Sequence, residues 1–267
     1  MFGLIVLTIF IVLGAVVPIF LGNPYGMNLG IMGQPPSLEH LLGTTSFGQD
    51  VFTQLCNAIG NSFFVGLVSG TLGTLIAVFV GAVGPYRGGL GDKISNLATN
   101  LALVLPLIPL FIIIASVVRG LNLFLIGVIL AVTSWPWAAR SIRSQMLTLK
   151  EREFVNLARM SGDSSIRIVV TEILPNMMAY IMMVFVILTG TSILAESALS
   201  MRGVSTTPTI TLGYMLYWAQ HQTIVPFWWN IWWWFIPPGL VLTIVLTAFF
   251  VIHAGLDEVF NPKLRRV

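Results

Sequence analysis

Few side chains in this sequence have the types and spacing that covalent or metal chemistry needs. The three histidines, His40, His221 and His253, are far apart and show no metal-ligand spacing. The single cysteine, Cys56, cannot form an internal disulfide, and nothing around it has the paired Cys or His spacing of a metal site. Neither a nucleophile–base pair within the apolar stretches nor a G-x-x-x-x-G-K-S/T phosphate-binding loop is present. The sequence therefore predicts no catalytic residue, no metal site and no cofactor.

Two acidic residues are candidates for other roles. Glu196 lies near the end of a long apolar stretch, and an ionisable residue there is a candidate for a translocation path. A structural ion pair with Arg119 or Arg202 fits it equally well. For Asp50, a helix cap or an ion pair is the better interpretation than a substrate ligand.

Composition indicates an integral membrane protein. Hydrophobic residues make up 56% of the 267 residues, charged residues only 9%, and the mean hydropathy is +0.91. Soluble domains carry about a quarter charged residues. We therefore expect an all-α membrane protein that contacts lipid and has no nucleic-acid partner, with residues 1–267 forming a single transmembrane domain.

Six uncharged stretches are long enough to cross the hydrocarbon core, which takes about 20 residues of helix. The predicted spans are 2–22, 58–86, 94–118, 120–139, 173–195 and 230–254. Prolines within or at the ends of these stretches, at 106, 109, 136, 237 and 238, would bend the helices.

The basic residues predict the orientation, because Lys and Arg are retained on the cytoplasmic side. With both termini inside, 11 of the 13 basic residues are cytoplasmic, and only Arg119 and Arg202 are outside. The segment 140–176 is then a cytoplasmic loop.

Charge is concentrated in this loop, which contains the amphipathic stretch "EREFVNLARMSGDSSIRIVVTEILPN". The pattern predicts two short helices, with Phe154, Leu157, Ala158 and Ser161 on one face of the first and Ile166, Val169, Val170 and Ile173 on one face of the second. Between them, Gly162 is placed to adopt a positive φ, and Asp163 or Ser164 can cap the second helix. Pro175 ends the pair.

Periodicity leaves two interpretations of this helical hairpin open. In one, it lies on the membrane surface with Arg152, Arg159 and Arg167 near anionic lipids. In the other, its apolar face docks onto a cytoplasmic protein.

The tryptophan-rich stretch "PFWWNIWWWF", at 226–235, precedes the last predicted span. We expect an anchoring belt at the membrane interface, where Trp is enriched. The alternative is a stacking platform for a sugar or an aromatic side chain.

The hairpin resembles the EAA loop of ABC importer permeases, whose pattern is E-A-A, three residues, a glycine and, about nine residues later, I-x-L-P. The matching positions are Asn156-Leu157-Ala158, Arg159, Gly162, Asp163 and Ile173-Leu174-Pro175. Asn156 stands where the family has glutamate, so a salt bridge made by that glutamate is not available here.

Four further segments resemble the dipeptide and oligopeptide branch of this family. They are "LLGTTSFGQDVF" at 41–52, "AVTSWPWAARSIRSQMLTLKEREFV" at 131–155, "ILAESALSMRGV" at 193–204 and "GLDEVFNPKLRR" at 255–266. Five segments in the same order make the resemblance specific. Family members often carry a cytoplasmic segment before the first span, whereas this span starts at about Phe2.

The resemblance implies a type I ABC importer permease fold with a cytoplasmic coupling hairpin, in a prokaryotic cytoplasmic membrane. It also implies a second permease subunit, two cytoplasmic ATPase subunits and an extracytoplasmic substrate-binding protein. The expected substrates are di- or oligopeptides, and oligosaccharides or nickel are the alternatives. The ATPase-coupling residues would be Asn156, Leu157, Ala158, Arg159, Gly162, Asp163, Ile173, Leu174 and Pro175, with Glu196 on the translocation path.

Two other classes compete with this interpretation. An ion-coupled secondary transporter or channel would carry acidic residues or histidines inside several spans, and Glu196 is the single acidic candidate. An intramembrane enzyme would need the reactive pairs that the apolar stretches lack.

Overall fold

The computed structural model describes residues 1–118, 121–204, 209–221 and 231–260. This part of the chain is helical and contains no strand, with one isolated antiparallel bridge between Thr44 and Asp50. The helices are α1 (Phe2–Ala15), α2 (Val17–Phe20), α3 (Val51–Val78), α4 (Gly84–Arg87), α5 (Gly89–Val104), α6 (Leu107–Val117), α7 (Leu123–Lys150), α8 (Glu153–Met160), α9 (Ser165–Arg167), α10 (Leu174–Asn176), α11 (Met178–Ser200), α12 (Leu212–Gln220) and α13 (Trp232–Phe260). π-Helical segments, Phe79–Val83 and Ile168–Ile173, join α3 to α4 and α9 to α10.

Five helical stretches of the described chain are long and apolar enough to span a membrane. They are Phe2–Phe20, Val51–Arg87, Leu123–Lys150, Met178–Ser200 and Trp232–Val259. These stretches overlap five of the six predicted spans, and the all-α membrane fold is confirmed. Their ends differ from the prediction. The second stretch begins at Val51, seven residues before the predicted start at 58, and the third, which matches the predicted span 120–139, runs on to Lys150.

The predicted span 94–118 is wrong as a single helix. The chain forms α5 and α6 there, separated at Leu105 and Pro106. Leu105 is extended, with φ −72° and ψ 128°. Proline lacks a backbone N–H and disfavours a helical conformation of the residue before it, which explains the break at this position.

By internal packing, the described chain divides into two compact units. Unit 1 comprises Met1–Leu67, Ala115–Gly127 and Gly190–Ile252, and unit 2 comprises Val68–Ile114, Val128–Thr189 and His253–Val267, each within the described residues.

In unit 1, α1 and α3 make a close approach through glycine. A Cβ added at Gly14 would lie 2.6 Å from the Gly60 backbone nitrogen and 2.9 Å from a side-chain carbon of Ile59. Small residues permit such contacts between apolar helices. The core next to this contact contains Val51, Ala58 and Ile59, all of which are almost fully buried.

In unit 2, α7 passes through the centre of an apolar core. Ile142 and Met146 of α7 are fully buried, together with Ala77, Ala82 and Tyr86 from the chain that precedes α5. At the edge of this core, Arg143 of α7 forms an ion pair with Asp92 of α5, with Nη2–Oδ1 and Nη2–Oδ2 distances of 2.8 and 2.9 Å. This pair joins α5 to α7.

We predict that Gly14→Ala destabilises the protein by about 1–3 kcal/mol, because the methyl group would push two packed backbones apart. The measurement is the unfolding midpoint of the purified protein in detergent. Gly255→Ala is the matched control, since Gly255 is also inside a helix and a Cβ there meets no atom within 4 Å. Equal midpoints for the two variants would contradict the close contact.

Candidate functional site

The charged loop forms the predicted helical hairpin, which comprises α8, a turn, α9, the second π-helical segment and α10 in unit 2. α8 ends in a Schellman motif: the Asp163 N–H donates to the Ala158 carbonyl at 3.2 Å, and the Gly162 N–H donates to the Arg159 carbonyl at 3.1 Å. Gly162 has φ +83°. The predicted positive φ at this glycine is confirmed.

The second arm of the hairpin begins at Ser164. Its side chain accepts a hydrogen bond from the Arg167 N–H at 3.4 Å, so of the two predicted caps it is Ser164 that caps the helix. Asp163 instead forms an ion pair with Arg167, at 3.3 Å. Between Ile168 and Ile173 the backbone is π-helical, and the arm ends with Pro175 in α10, as predicted.

One side of the hairpin packs into the core of unit 2. Val155 of α8 and Ile168, Val169 and Ile173 of the second arm are almost completely buried and belong to the same cluster as Ile142. Of the face predicted for α8, Phe154 and Ala158 pack against this cluster, whereas the fully buried residue is Val155. The hairpin is thus fixed to the helices of unit 2.

Arg159 and Tyr86 make a second attachment. The Arg159 guanidinium lies 5.5 Å from the centre of the Tyr86 ring, and its Nε donates to the Tyr86 hydroxyl at 3.4 Å. Arg159 also donates to the Asn156 side-chain oxygen at 3.2 Å. Lys150 lies 5.8 Å from the same ring centre and donates to the Pro85 carbonyl at 3.3 Å.

Four large apolar side chains of the hairpin stay outside this packing. Their exposed fractions are 60% for Leu157, 77% for Met160, 56% for Ile166 and 54% for Val170. We call these four residues the exposed apolar surface. Asp163 and Arg167 lie between them in the chain, and the Arg167 side chain is 68% exposed, so the hairpin exposes both apolar and charged groups.

An apolar cavity of about 320 Å³ lies beside the second arm. Val78, Phe79 and Tyr86 line it from the chain before α5, and Ile166, Val169 and Val170 line it from the hairpin. The second arm therefore has free volume next to it in this structure.

Of the predicted site residues, the structure brings together Asn156, Leu157, Ala158, Arg159, Gly162, Asp163, Ile173, Leu174 and Pro175 in this one hairpin. They are not equivalent: Ile173 is fully buried, whereas Leu157 is exposed. Sequence reasoning missed Met160, and it also missed Tyr86, which lies about 70 residues before the hairpin in the chain and has no local signal for this contact.

Glu196 is separate from the hairpin and belongs to unit 1. Only 1% of the residue is exposed. Its carboxylate accepts hydrogen bonds from the Ser200 and Thr211 hydroxyls, both at 2.7 Å, and from the Ser197 hydroxyl at 3.4 Å. Thr211 in turn caps α12 by accepting from the Tyr214 N–H at 3.2 Å.

In this arrangement Glu196 makes structural contacts with hydroxyl groups, and its place on a translocation path stays a prediction. The carboxylate joins α11 to the start of α12 through hydroxyl groups. The ion pair expected with Arg202 is not among its contacts in the described chain, where Arg202 is exposed. Arg119, the other expected partner, lies outside the described residues.

Asp50 acts as the predicted cap and also makes a hydrogen-bond contact with a histidine. Its carboxylate accepts from the Thr53 N–H at 2.7 Å, at the start of α3, and it lies 2.8 Å from Nδ1 of His40. His40, His221 and His253 join no cluster of three metal-ligating side chains within the described residues.

The interfacial belt expected from the tryptophan-rich stretch is wrong for two of the tryptophans that the structure describes. Trp233 and Trp234 are 7% and 2% exposed, inside unit 1. The Trp233 indole N–H donates to the Thr44 carbonyl at 3.1 Å. Trp232 is half exposed, and the residues at 226–230 lie outside the described chain. Half of the C-terminal segment that resembles the family, at 261–266, also lies outside it.

A comparison with models of known protein families matches residues 73–266 to the binding-protein-dependent transport system inner membrane component family. The chain belongs to this family. The match covers more than half of the chain and includes the whole hairpin.

Individual relatives agree with the family. The chain is 33% identical to the dipeptide transport system permease protein DppC of Bacillus subtilis, over 100% of this chain and 82% of the relative. It is 30% identical to the oligopeptide transport system permease protein OppC of the same species, over 100% of this chain and 86% of the relative. With the oligopeptide permease OppC of Mycobacterium bovis it shares 31% identity, over 87% of this chain and 79% of the relative.

Family membership establishes the general role. The chain is a multi-pass membrane protein with the type I ABC permease fold and is the permease subunit of a binding-protein-dependent ABC transporter. The family consists of transport permeases rather than catalytic enzymes.

We predict that Gly162→Ala loosens the hairpin turn. A Cβ at Gly162 meets no atom within 4 Å, so the cost comes from the positive φ alone and is about 1–3 kcal/mol. The measurement is hydrogen–deuterium exchange of the backbone amides at positions 162 and 163. Exchange at these amides should be faster in the variant than in the wild type. Gly91→Ala is the control, because Gly91 also has open space but no positive φ. Unchanged exchange in Gly162→Ala would show that the turn does not depend on glycine.

Proposed function

We propose that this permease forms half of a translocation path and is driven by a separate cytoplasmic ATPase that binds its hairpin. The observation that carries the proposal is the exposed apolar surface of Leu157, Met160, Ile166 and Val170 on an otherwise charged, firmly packed hairpin. Large apolar side chains that are exposed on a charged segment are candidates for a protein contact. ATP hydrolysis on another subunit is consistent with the lack of a phosphate-binding loop in the sequence.

The attachment of the hairpin supports a mechanical role. Val155, Ile168 and Ile173 are buried in the core of unit 2, and Arg159 is held at Tyr86. A motion of a bound ATPase would therefore move the hairpin together with the helices of unit 2. Transmission through a rigid packed element is a common way to couple a ligand-driven motion to a distant site.

The orientation that we propose places the hairpin and both termini in the cytoplasm of a prokaryotic cell. It requires six crossings, with α5 and α6 together making the third, and it rests on the 11 of 13 basic residues that this topology puts inside. This orientation also leaves the charged hairpin in water. It places the short helix α12 and the loop before α3 on the outer side of the membrane.

The complete transporter that we propose contains this single permease domain, a second permease subunit and two ATPase subunits. An extracytoplasmic binding protein would deliver the substrate, as the family description suggests. The coupling residues remain those of the hairpin, from Asn156 to Pro175, with Met160 added by its exposure.

Di- and oligopeptides are the substrates that we propose, because the relatives are named as dipeptide and oligopeptide permeases. Oligosaccharides and nickel remain alternatives within the family. A secondary transporter is disfavoured because Glu196, its acidic candidate, is buried among hydroxyl groups.

We predict that Leu157→Asp uncouples the transporter. The carboxylate would be buried without a partner in the ATPase contact, which should weaken ATPase binding by about tenfold or more, or about 1.4 kcal/mol. The hairpin should still fold, because Leu157 is 60% exposed. The measurements are co-purification of the ATPase and substrate-stimulated ATP hydrolysis.

Leu157→Met is the matched control and should behave as wild type, because it keeps an apolar side chain of similar volume. Normal coupling in Leu157→Asp would contradict the assignment of the exposed apolar surface to the ATPase. Lipid binding of the hairpin would then be the better interpretation.

We also predict the sidedness of labelling with a membrane-impermeant maleimide. In a Cys56→Ser background, which removes the single cysteine, Glu39→Cys should react in intact spheroplasts and Ser161→Cys only after permeabilisation. Both positions are exposed, so accessibility depends on the side of the membrane. Labelling of Ser161→Cys from outside would reverse the proposed topology.

A further inference from the structure

A second cavity lies in unit 1 and has no part in the coupling role of the hairpin. Its volume is about 200 Å³. Residues from the loop before α3, from the first turn of α3, from α12 and from α13 line it: Met27, Phe47, Gln49, Gln54, Tyr214, Met215, Trp218 and Trp234.

Aromatic rings form rigid walls of this cavity. Phe47 makes edge-to-face contacts with Trp218 and Trp234, with ring centres 5.6 and 6.3 Å apart. Tyr214 packs against Trp218 at 6.1 Å. Such contacts hold each ring in place, so the walls can accept a flat or branched apolar group without rearranging.

Two buried amides form a polar side of the cavity. Gln54 is 3% exposed and donates to the Gln49 side-chain oxygen at 2.7 Å and to the Pro24 carbonyl at 3.2 Å. Gln49 is 8% exposed and donates to the Tyr25 carbonyl at 3.4 Å. These bonds fix the amides in the wall.

The cavity favours a neutral ligand. None of the described residues that line it carries a charge, and burial raises the pKa of the Tyr214 phenol, which keeps it protonated. A charged group would lose its hydration there without gaining a counter-ion. The volume is below the roughly 300–1,000 Å³ of pockets for drug-sized ligands, so one side-chain-sized group fits.

We propose that this cavity is a subsite for one neutral residue of a peptide, with an apolar or aromatic side chain packed against the rings. This inference rests on the proposed function, which supplies both the peptide substrate and the location of the cavity on the outer side of the membrane. It adds a specificity that the relatives' names do not give: uncharged residues should be preferred at this position.

The test is fluorine NMR on the full chain in lipid nanodiscs, with N-acetyl-4-fluorophenylalaninamide as the probe. The probe should show saturable line broadening that unlabelled N-acetylphenylalaninamide reverses. N-acetyl-4-fluorophenylalanine, which differs by a carboxylate, should bind at least about tenfold more weakly, because its charge is not compensated. Protein-free nanodiscs measure partition into lipid.

Trp234→Phe should weaken probe binding by about three- to tenfold, because it removes part of the aromatic wall of the cavity. Trp232→Phe is the matched control and should bind as wild type, since Trp232 does not line the cavity. A second variant, Met27→Trp, should block the cavity from its exposed edge, where Met27 is 67% exposed. Met32→Trp, in the same loop but outside the cavity, is its control.

Three results would overturn the inference: no saturable binding, equal binding of the amide and the carboxylate, or equal binding by the two members of each variant pair. None of them depends on an ATPase, so they leave the coupling proposal intact. Conversely, probe binding together with uptake of oligosaccharides but not peptides by the assembled transporter would reject the peptide substrate and keep a site for neutral ligands.

Discussion

The packing of the hairpin against unit 2 is the constraint on which the coupling account depends. Val155, Ile168 and Ile173 are almost fully buried, and burial of such a side chain contributes about 1.5–3 kcal/mol. This attachment decides which apolar side chains remain outside. A hairpin held only at its ends would move independently of the other helices when a bound partner moved. A packed hairpin moves together with the helices that it contacts. The Schellman turn at Gly162 sets the direction of the second arm and therefore belongs to the same constraint.

In unit 1, buried polar groups organise the packing instead. Glu196 accepts from Ser200 and Thr211, and Thr211 caps α12. α12 carries Tyr214 and Trp218 into the wall of the aromatic cavity. Leaving hydroxyl and carboxylate groups unpaired in an apolar interior is costly, so this network limits where α12 can lie. The sequence left a translocation path and an ion pair equally open for this carboxylate, and in the structure it helps to position α12 through Thr211.

The sequence predicted the features that local chemistry determines. A glycine between two amphipathic stretches gave the positive φ at Gly162, and a serine after it gave the cap at Ser164, because both depend on neighbouring residues only. Long-range contacts were not predictable in this way. Asp92 and Arg143, which form an ion pair, are 51 residues apart in the chain. Trp233 and Trp234 belong to a tryptophan-rich stretch typical of an interfacial belt, but they pack inside unit 1. Pro106 was expected to bend a span, and only the backbone of Leu105 shows that it interrupts the helix.

Site-specific photo-crosslinking in native membranes tests the coupling account most directly. A benzophenone amino acid at Met160, which is 77% exposed, reports what the exposed apolar surface touches. The account predicts a crosslinked product with a soluble ATPase subunit that changes in yield when a non-hydrolysable ATP analogue is added. The same group at Leu97, exposed on α5 outside the hairpin, should not give this product. Crosslinks from Met160 to lipid alone would contradict the account and identify the hairpin as a membrane-surface element.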